Sequence, residues 1–190
     1  MTIPQIYKQL CNSKSDINEH LPTLYRYGQE CEHITEMGVR DVVSVYAFLH
    51  STPKSFIGYD LYTSNNINRA EKLAKAANID FRFIQANVLD VVIEQTDLLF
   101  IDTWHRYEQL KNELKLHASK VNKYLIFHDT TKFAYIDETL RPYIPKDLDQ
   151  HSTEKRGLWP AIEEFLNNNP EWGLKERFTN NNGLTILSRV

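Results

Sequence analysis

DLLFIDTWHRY, Asp97 to Tyr107, decides how this chain folds. Leu98 to Ile101, with the flanking Asp97, reads as a short buried strand. The strand stops on Asp102 and opens through Thr103, Trp104 and His105 into a helix beginning near Tyr107. An acidic residue at the carboxyl end of a buried strand, ahead of a loop and a helix, is where open α/β sheets put ligands and chemistry. The chain repeats the device at Tyr124 to Phe127, which is followed by His128, Asp129 and Thr130. Two apolar strands each deliver an aspartate to one rim.

Upstream, CEHITEMG reads as a brief strand ending at Glu36, with Gly38 behind it and a helix from Arg40 carrying Val43, Tyr46, Ala47 and His50. SFIGYD ends a strand on Asp60, and Ile67, Ala70, Ala74 and Ala77 space one face of a helix that Asn78 closes in a left-handed cap. FRFIQAN is a further strand ending near Asn87. The helix after Tyr107 turns Tyr107, Leu110 and Leu114 inward and Glu108, Lys111, Glu113 and Lys115 outward. Strands alternating with helices imply a parallel sheet with right-handed crossovers. Downstream the alternation breaks. Residues 131–156 form a long connection, and a helix runs from Leu158 to Leu166. Strands near Leu174–Phe178 and Gly183–Leu187 meet at the hairpin signal Asn180-Asn181-Asn182-Gly183. The expected fold is α/β: a Rossmann-like, mostly parallel seven-stranded sheet with an antiparallel C-terminal hairpin and helices on both faces. Residues 1–30 precede it as a helical segment with Pro4 in its first turn.

The 190 residues suit one domain, 1–190, with 42% hydrophobic and 25% charged residues. A net charge of −3 and a pI near 6.2 argue against a nucleic-acid partner. Cys11 and Cys31 are too few for a disulfide framework, and no apolar run approaches a membrane span. These features point to a reduced, cytoplasmic protein without a membrane partner.

The ordered series Glu36-x-Gly38, Asp60, Asn87, FIDTWHRYEQL and IFHDT resembles the class I S-adenosylmethionine-dependent methyltransferases. More closely it resembles the sugar and small-molecule O-methyltransferases of the cephalosporin-hydroxylase-like and macrolide-sugar group, over roughly residues 15–190. SDINEHLPTL is similar to that group's lead-in, and NNNGLTILSR to its last strand. EMGVRDVVS departs from the pattern by keeping one glycine where two or three are usual. S-adenosylmethionine carries no pyrophosphate, so one glycine allowing close approach of its methionine part suffices.

The resemblance implies roles. Gly38, with Val39, Arg40 and Ser44 nearby, would lie against the methionine part, and Glu36 would hold the loop or the ammonium group. Asp60, beside Leu61, would accept hydrogen bonds from the ribose hydroxyls, and Asn87 with Val88 would face the adenine. Asp102, Thr103 and His105 would sit at the reacting end. A sugar hydroxyl is a poor nucleophile at neutral pH and gains from a base or a metal, for which Asp102, His105 and Asp129 are the candidates. A divalent ion, Mg²⁺ or Mn²⁺, would fall to Asp102, His128 and Asp129, the histidine favouring the transition ion. His20, Trp104, Arg141 and Tyr143 are the candidates for holding a sugar or glycan acceptor, with 131–156 as the acceptor loop. His128 also reads as a half-buried residue without chemistry, and His33, His50, His117 and His151 as packing or solvated residues. Two other classes compete: a nicotinamide-dependent oxidoreductase, which would need the missing glycine-rich turn, and a nucleotide-binding module without catalysis.

Overall fold

The computed structural model describes residues 1–139 and 153–190. Strands β1 (His33–Met37), β2 (Ser55–Asp60), β3 (Asp80–Gln85), β4 (Thr96–Ile101), β5 (Val121–His128), β6 (Trp172–Phe178) and β7 (Leu184–Arg189) form one sheet. Their order is 3-2-1-4-5-7-6. The first five run parallel, and β7 lies antiparallel between β5 and β6. Helices α3 (Val43–His50), α4 (Asn65–Ala76) and α5 (Tyr107–His117) follow β1, β2 and β4. Helices α1 (Ile3–Asn12) and α2 (Leu21–Gly28) precede the sheet, and α6 (Leu158–Asn168) leads into β6. This is the seven-stranded α/β sheet with a closing hairpin that the alternation implied.

β4 shows how the sequence makes two layers. Its period of two sends Leu98 and Phe100 to one face and Leu99 and Ile101 to the other. The first face packs on α3 and α4 through Phe48, Leu49, Ala70 and Ala74. The second packs on α5 and α6 through Tyr107, Leu110, Ile162 and Phe165. Each fully buried side chain of this size contributes about 1.5–3 kcal/mol relative to exposure. α3 is buried from Ser44 through Leu49 because α1 and α2 cover the side that solvent would otherwise reach. It is short, and among the described residues no helix is long and apolar enough to cross a membrane.

α3 begins at Val43, three residues later than the apolar spacing indicated. Arg40 (φ 44°) and Val42 (φ 69°) occupy the left-handed region, so the helix cannot start before them. Asn78 does take the left-handed cap, at φ 57°. The β6–β7 turn uses left-handed Asn181, Asn182 and Gly183, and it clasps the N-terminal segment. Asn181 accepts from the Glu19 amide at 3.0 Å and donates to the Ser15 carbonyl at 2.8 Å. The two chain ends thereby close the side of the sheet behind β5.

Candidate active site

The strand order reverses between β1 and β4, leaving a crevice above their carboxyl ends. A cavity of about 350 Å³ occupies that rim. Each contributing strand delivers a wall residue: Gly38 after β1, Asp60 from β2, Asn87 after β3 and Asp102 after β4. Arg40, Leu61, Val88, Thr103 and Trp104 also line it. Glu36, Val39, Ser44 and His105 do not. Arg141 and Tyr143, with half of the proposed acceptor loop, lie outside the described residues.

Gly38 has a local explanation different from the one expected. Its φ is +92°, and a Cβ there would fall 2.1 Å from the Asp102 carbonyl oxygen. The glycine lets the β1 loop touch the end of β4, whatever ligand the cavity takes. Asp60 secures the same loop: its Oδ2 accepts from the Arg40 amide at 2.8 Å, and its Oδ1 accepts from the Tyr62 amide at 3.1 Å. Glu36 is fully buried and takes a short hydrogen bond from the Ser44 hydroxyl, tying β1 to α3. Burial holds its carboxyl well above the usual range, beyond the opposing pull of Ser44. Asn87 caps a single helical turn, accepting from the Leu89 amide at 3.1 Å.

Beneath Asp102 lies a buried cluster of charge. His105 Nε2 is 2.9 Å from Asp129 Oδ2 and 3.2 Å from Asp102 Oδ1, while its Nδ1 is 2.9 Å from Glu138 Oε2. His128 Nδ1 is 3.3 Å from Asp102 Oδ1 and 3.5 Å from Asp129 Oδ2. Asp129 reaches this place from a left-handed backbone, φ 59°, at the end of β5. Burial opposes charge on all these groups, yet mutual attraction wins. His105 is held far above the ordinary histidine value by Asp102, Asp129 and Glu138. His128 is pushed up to about 10, chiefly by Asp102, and both aspartates are held far below the carboxylate range. At neutral pH His105 is an imidazolium, which cannot accept a proton. In that state it binds three carboxylates together from behind the cavity wall.

His128 is not the half-buried bystander that its neighbourhood in sequence allowed; it is 1% exposed. Its Nε2 faces the carbonyls of Asp16 (3.1 Å) and Asn181 (3.3 Å), so that nitrogen carries hydrogen and Nδ1 faces the aspartates. His20 packs edge-on to His128, with ring centroids 5.8 Å apart, and bonds the Asn180 carbonyl at 3.0 Å. It supports the site from behind. Trp104 lies on the wall with the Arg106 guanidinium 4.3 Å from its ring.

Three acidic residues of this region take places that the sequence did not assign: Asp137 and Glu138 read only as part of a polar and aromatic mix in the 131–156 connection, and Glu113 as solvent-facing. Glu138 lines the cavity and holds His105, and Asp137 accepts from the amides of Tyr107 (3.1 Å) and Gly157 (2.7 Å). Both sit in a loop with no periodic signal. Glu113, assigned to the solvent side of α5, is fully buried. Its i+3 spacing from Leu110 gave the signal, since the apolar stripe Tyr107–Leu110–Leu114–His117 passes through it.

No family model matches the chain, and no curated protein is detectably similar. Solved structures are. Magnesium protoporphyrin IX methyltransferase from Synechocystis PCC 6803, with SAH bound, superposes with a TM-score of 0.61 at 12% identity, covering 98% of this chain and 94% of that one. The N-methyltransferase NodS from Bradyrhizobium japonicum WM9 gives 0.58 at 14% identity, over 92% and 96%. The N-terminal domain of EvdMO1, solved with SAH and D-fucose, gives 0.53 at 15% identity, over 94% and 84%. The fold is that of the class I methyltransferases. Within this methyltransferase fold, the rim cavity and the His–Asp cluster are contributed by successive strand ends, β1 to β5.

Proposed function

We propose that this chain is an S-adenosylmethionine-dependent O-methyltransferase acting on a hydroxyl group of a sugar or glycan. The observation that carries it is the cavity at the topological switch point, with one ionised carboxylate of the buried cluster, Asp102, forming its wall. Asp60, Asn87 and Gly38 stand at the ends of three adjacent strands, as a nucleoside with an amino-acid tail requires. An acidic wall of Asp41, Asp60, Asp102 and Glu138 suits a cationic sulfonium and a ligand rich in hydroxyl donors. The sugar in the EvdMO1 structure supports the acceptor class. A nicotinamide-dependent oxidoreductase fits less well, because the β1 loop offers one glycine to a pyrophosphate and spends it on Asp102.

Methyl transfer is an in-line displacement. The acceptor oxygen bonds to the methyl carbon as the carbon–sulfur bond breaks, and the sulfonium leaves as a neutral thioether. The chain's first contribution is to align donor and acceptor. As the new C–O bond forms, the hydroxyl proton becomes strongly acidic, so even a weakly basic carboxylate can take it. Asp102 and Glu138 are the cluster members on the cavity wall and are placed for this. His105 and His128 hold those carboxylates in register.

The donor set Asp102, His128 and Asp129, whose ligand atoms lie within 4.8 Å of one another, fits a divalent ion. Asp129 Oδ1 is buried with no partner among the described residues, and an ion taking His128 Nδ1 would displace the proton that this nitrogen shares with Asp102 and Asp129. Mixed N/O donors suit Mn²⁺ better than Mg²⁺. When bound, such an ion would lower the pKa of an acceptor hydroxyl. The proposed function is tested by a methyl-transfer screen over sugars and glycans, read by mass spectrometry. A product 14 Da heavier on a sugar supports it, and methylation confined to amines or thiols overturns the acceptor class.

A further inference from the structure

Glu113 has no place in the chemistry above, yet its burial is complete. Its Oε1 accepts from the Thr103 hydroxyl at 2.7 Å and from the Gln109 amide nitrogen at 2.7 Å. Thr103 and Gln109 both line the cavity, one in the loop after β4 and the other in the first turn of α5. The Thr103 hydroxyl proton and one of the two Gln109 amide hydrogens are committed to Glu113. Thr103 is left with the lone pairs of its oxygen, and Gln109 with its carbonyl and one remaining N–H. A leucine at 113 would satisfy the helix and the apolar stripe equally well. A buried carboxyl facing two wall residues is costly without a purpose.

We propose that Glu113 is a positioning residue that turns Thr103 into a hydrogen-bond acceptor for an N–H group of the cofactor and fixes Gln109 beside it. It rests on the proposed function, in that the cofactor is S-adenosylmethionine. Glu113 touches no ligand itself. It takes the Thr103 proton and one Gln109 hydrogen off the wall and fixes two side chains that would otherwise rotate, so less order is lost on binding. Burial pushes its carboxyl up to about 7, which spares the site part of an extra negative charge near neutrality. A glutamine, with the same amide oxygen in the same place, should therefore do the same work.

The test is calorimetry with SAH on wild type, Glu113→Gln, Glu113→Leu, Thr103→Val and the double variant Glu113→Leu/Thr103→Val. Glu113→Gln should bind within about twofold of wild type, and Glu113→Leu about tenfold more weakly, the scale of one or two misdirected hydrogen bonds. Thr103→Val should weaken binding in the wild-type background and add nothing to Glu113→Leu, since the two act as one unit. A merely structural role would give additive losses, or a Gln variant as weak as the Leu variant, and either result overturns the proposal. If Glu113→Leu fails to fold, Thr103→Val and Gln109→Ala carry the same test against Glu113→Gln: no loss of affinity in both overturns it. A wild type that binds no SAH overturns the cofactor assignment instead, which separates the two failures.

Discussion

Replacing Glu113 by glutamine should make the protein more stable at alkaline pH and leave it unchanged in acid. Burial pushes the Glu113 carboxyl from its ordinary 4.5 up to about 7, while the hydrogen bonds from Thr103 and Gln109 pull the other way and lose. Between those values the folded chain holds a proton that the unfolded chain has released. Stability then falls as pH rises, by about 1.4 kcal/mol per pH unit for one proton, and levels off above the folded value. The full interval amounts to roughly 3 kcal/mol, a third or so of a typical domain's stability. Glutamine keeps the oxygen that Thr103 and Gln109 use and has no proton to lose. Urea unfolding of both proteins at pH 4.5, 6, 7 and 8.5 should therefore give curves that coincide in acid and separate by about 2–3 kcal/mol at the alkaline end, the variant being more stable. Parallel stability curves, or a variant weaker at every pH, would show that Glu113 is ionised in the fold and that its burial has another compensation.

The buried cluster sets a window of its own. Its aspartates, held low in the fold, add stability that is present above the ordinary carboxylate range and lost as pH falls through their folded values. His105 and His128, held high, add stability that is complete below about 6.5 and lost as pH climbs, for His128 through about 10. Asp102→Asn should narrow that window from the alkaline side, measured as melting temperature against pH; an unchanged profile would count against the charged cluster. Gly38→Ala forces a side chain into a positive φ and against the Asp102 backbone, so it should cost about 2–5 kcal/mol and weaken SAH binding with it. A variant of normal stability would mean that the two loops are not in contact. If the Asp102–His128–Asp129 site takes an ion, exhaustive chelation abolishes turnover and Mn²⁺ restores it; full activity in chelator assigns the proton to a side chain alone.

The alternation of strands and helices and the strand ends were legible because both rest on strong local signals. Short apolar runs that give way to Asp60, to Asp102 and, after His128, to Asp129 mark β2, β4 and β5, and the Asn-Asn-Gly turn marks the closing hairpin. The meeting of Asp102 with Asp129 followed from parallel neighbours in register, Ile101 beside Phe127. What sequence could not supply was the backbone at Arg40 and Val42, since neither residue type favours a left-handed conformation. Nor could it supply Glu138, whose place depends on a loop folding back onto α5 with its amide on the His105 carbonyl. Glu113 was hidden by its own chemistry: residue type argued for solvent, helical spacing argued for the core, and spacing was right. The protonation of His105 also needed the fold, because two of the three carboxylates behind it, Asp129 and Glu138, are distant in sequence.

In the proposed function the rim cavity binds S-adenosylmethionine with Asp60 on the ribose. Titration calorimetry of the wild type and Asp60→Ala with SAH, and with NAD as the competing nucleotide, tests it most directly. The wild type should bind SAH and not NAD, and Asp60→Ala should lose about 1–3 kcal/mol of that affinity, the scale of hydrogen bonds to a charged group. Equal affinity in the variant would remove Asp60 from the ribose, and a wild type that binds NAD and not SAH would contradict the assignment of the cavity itself.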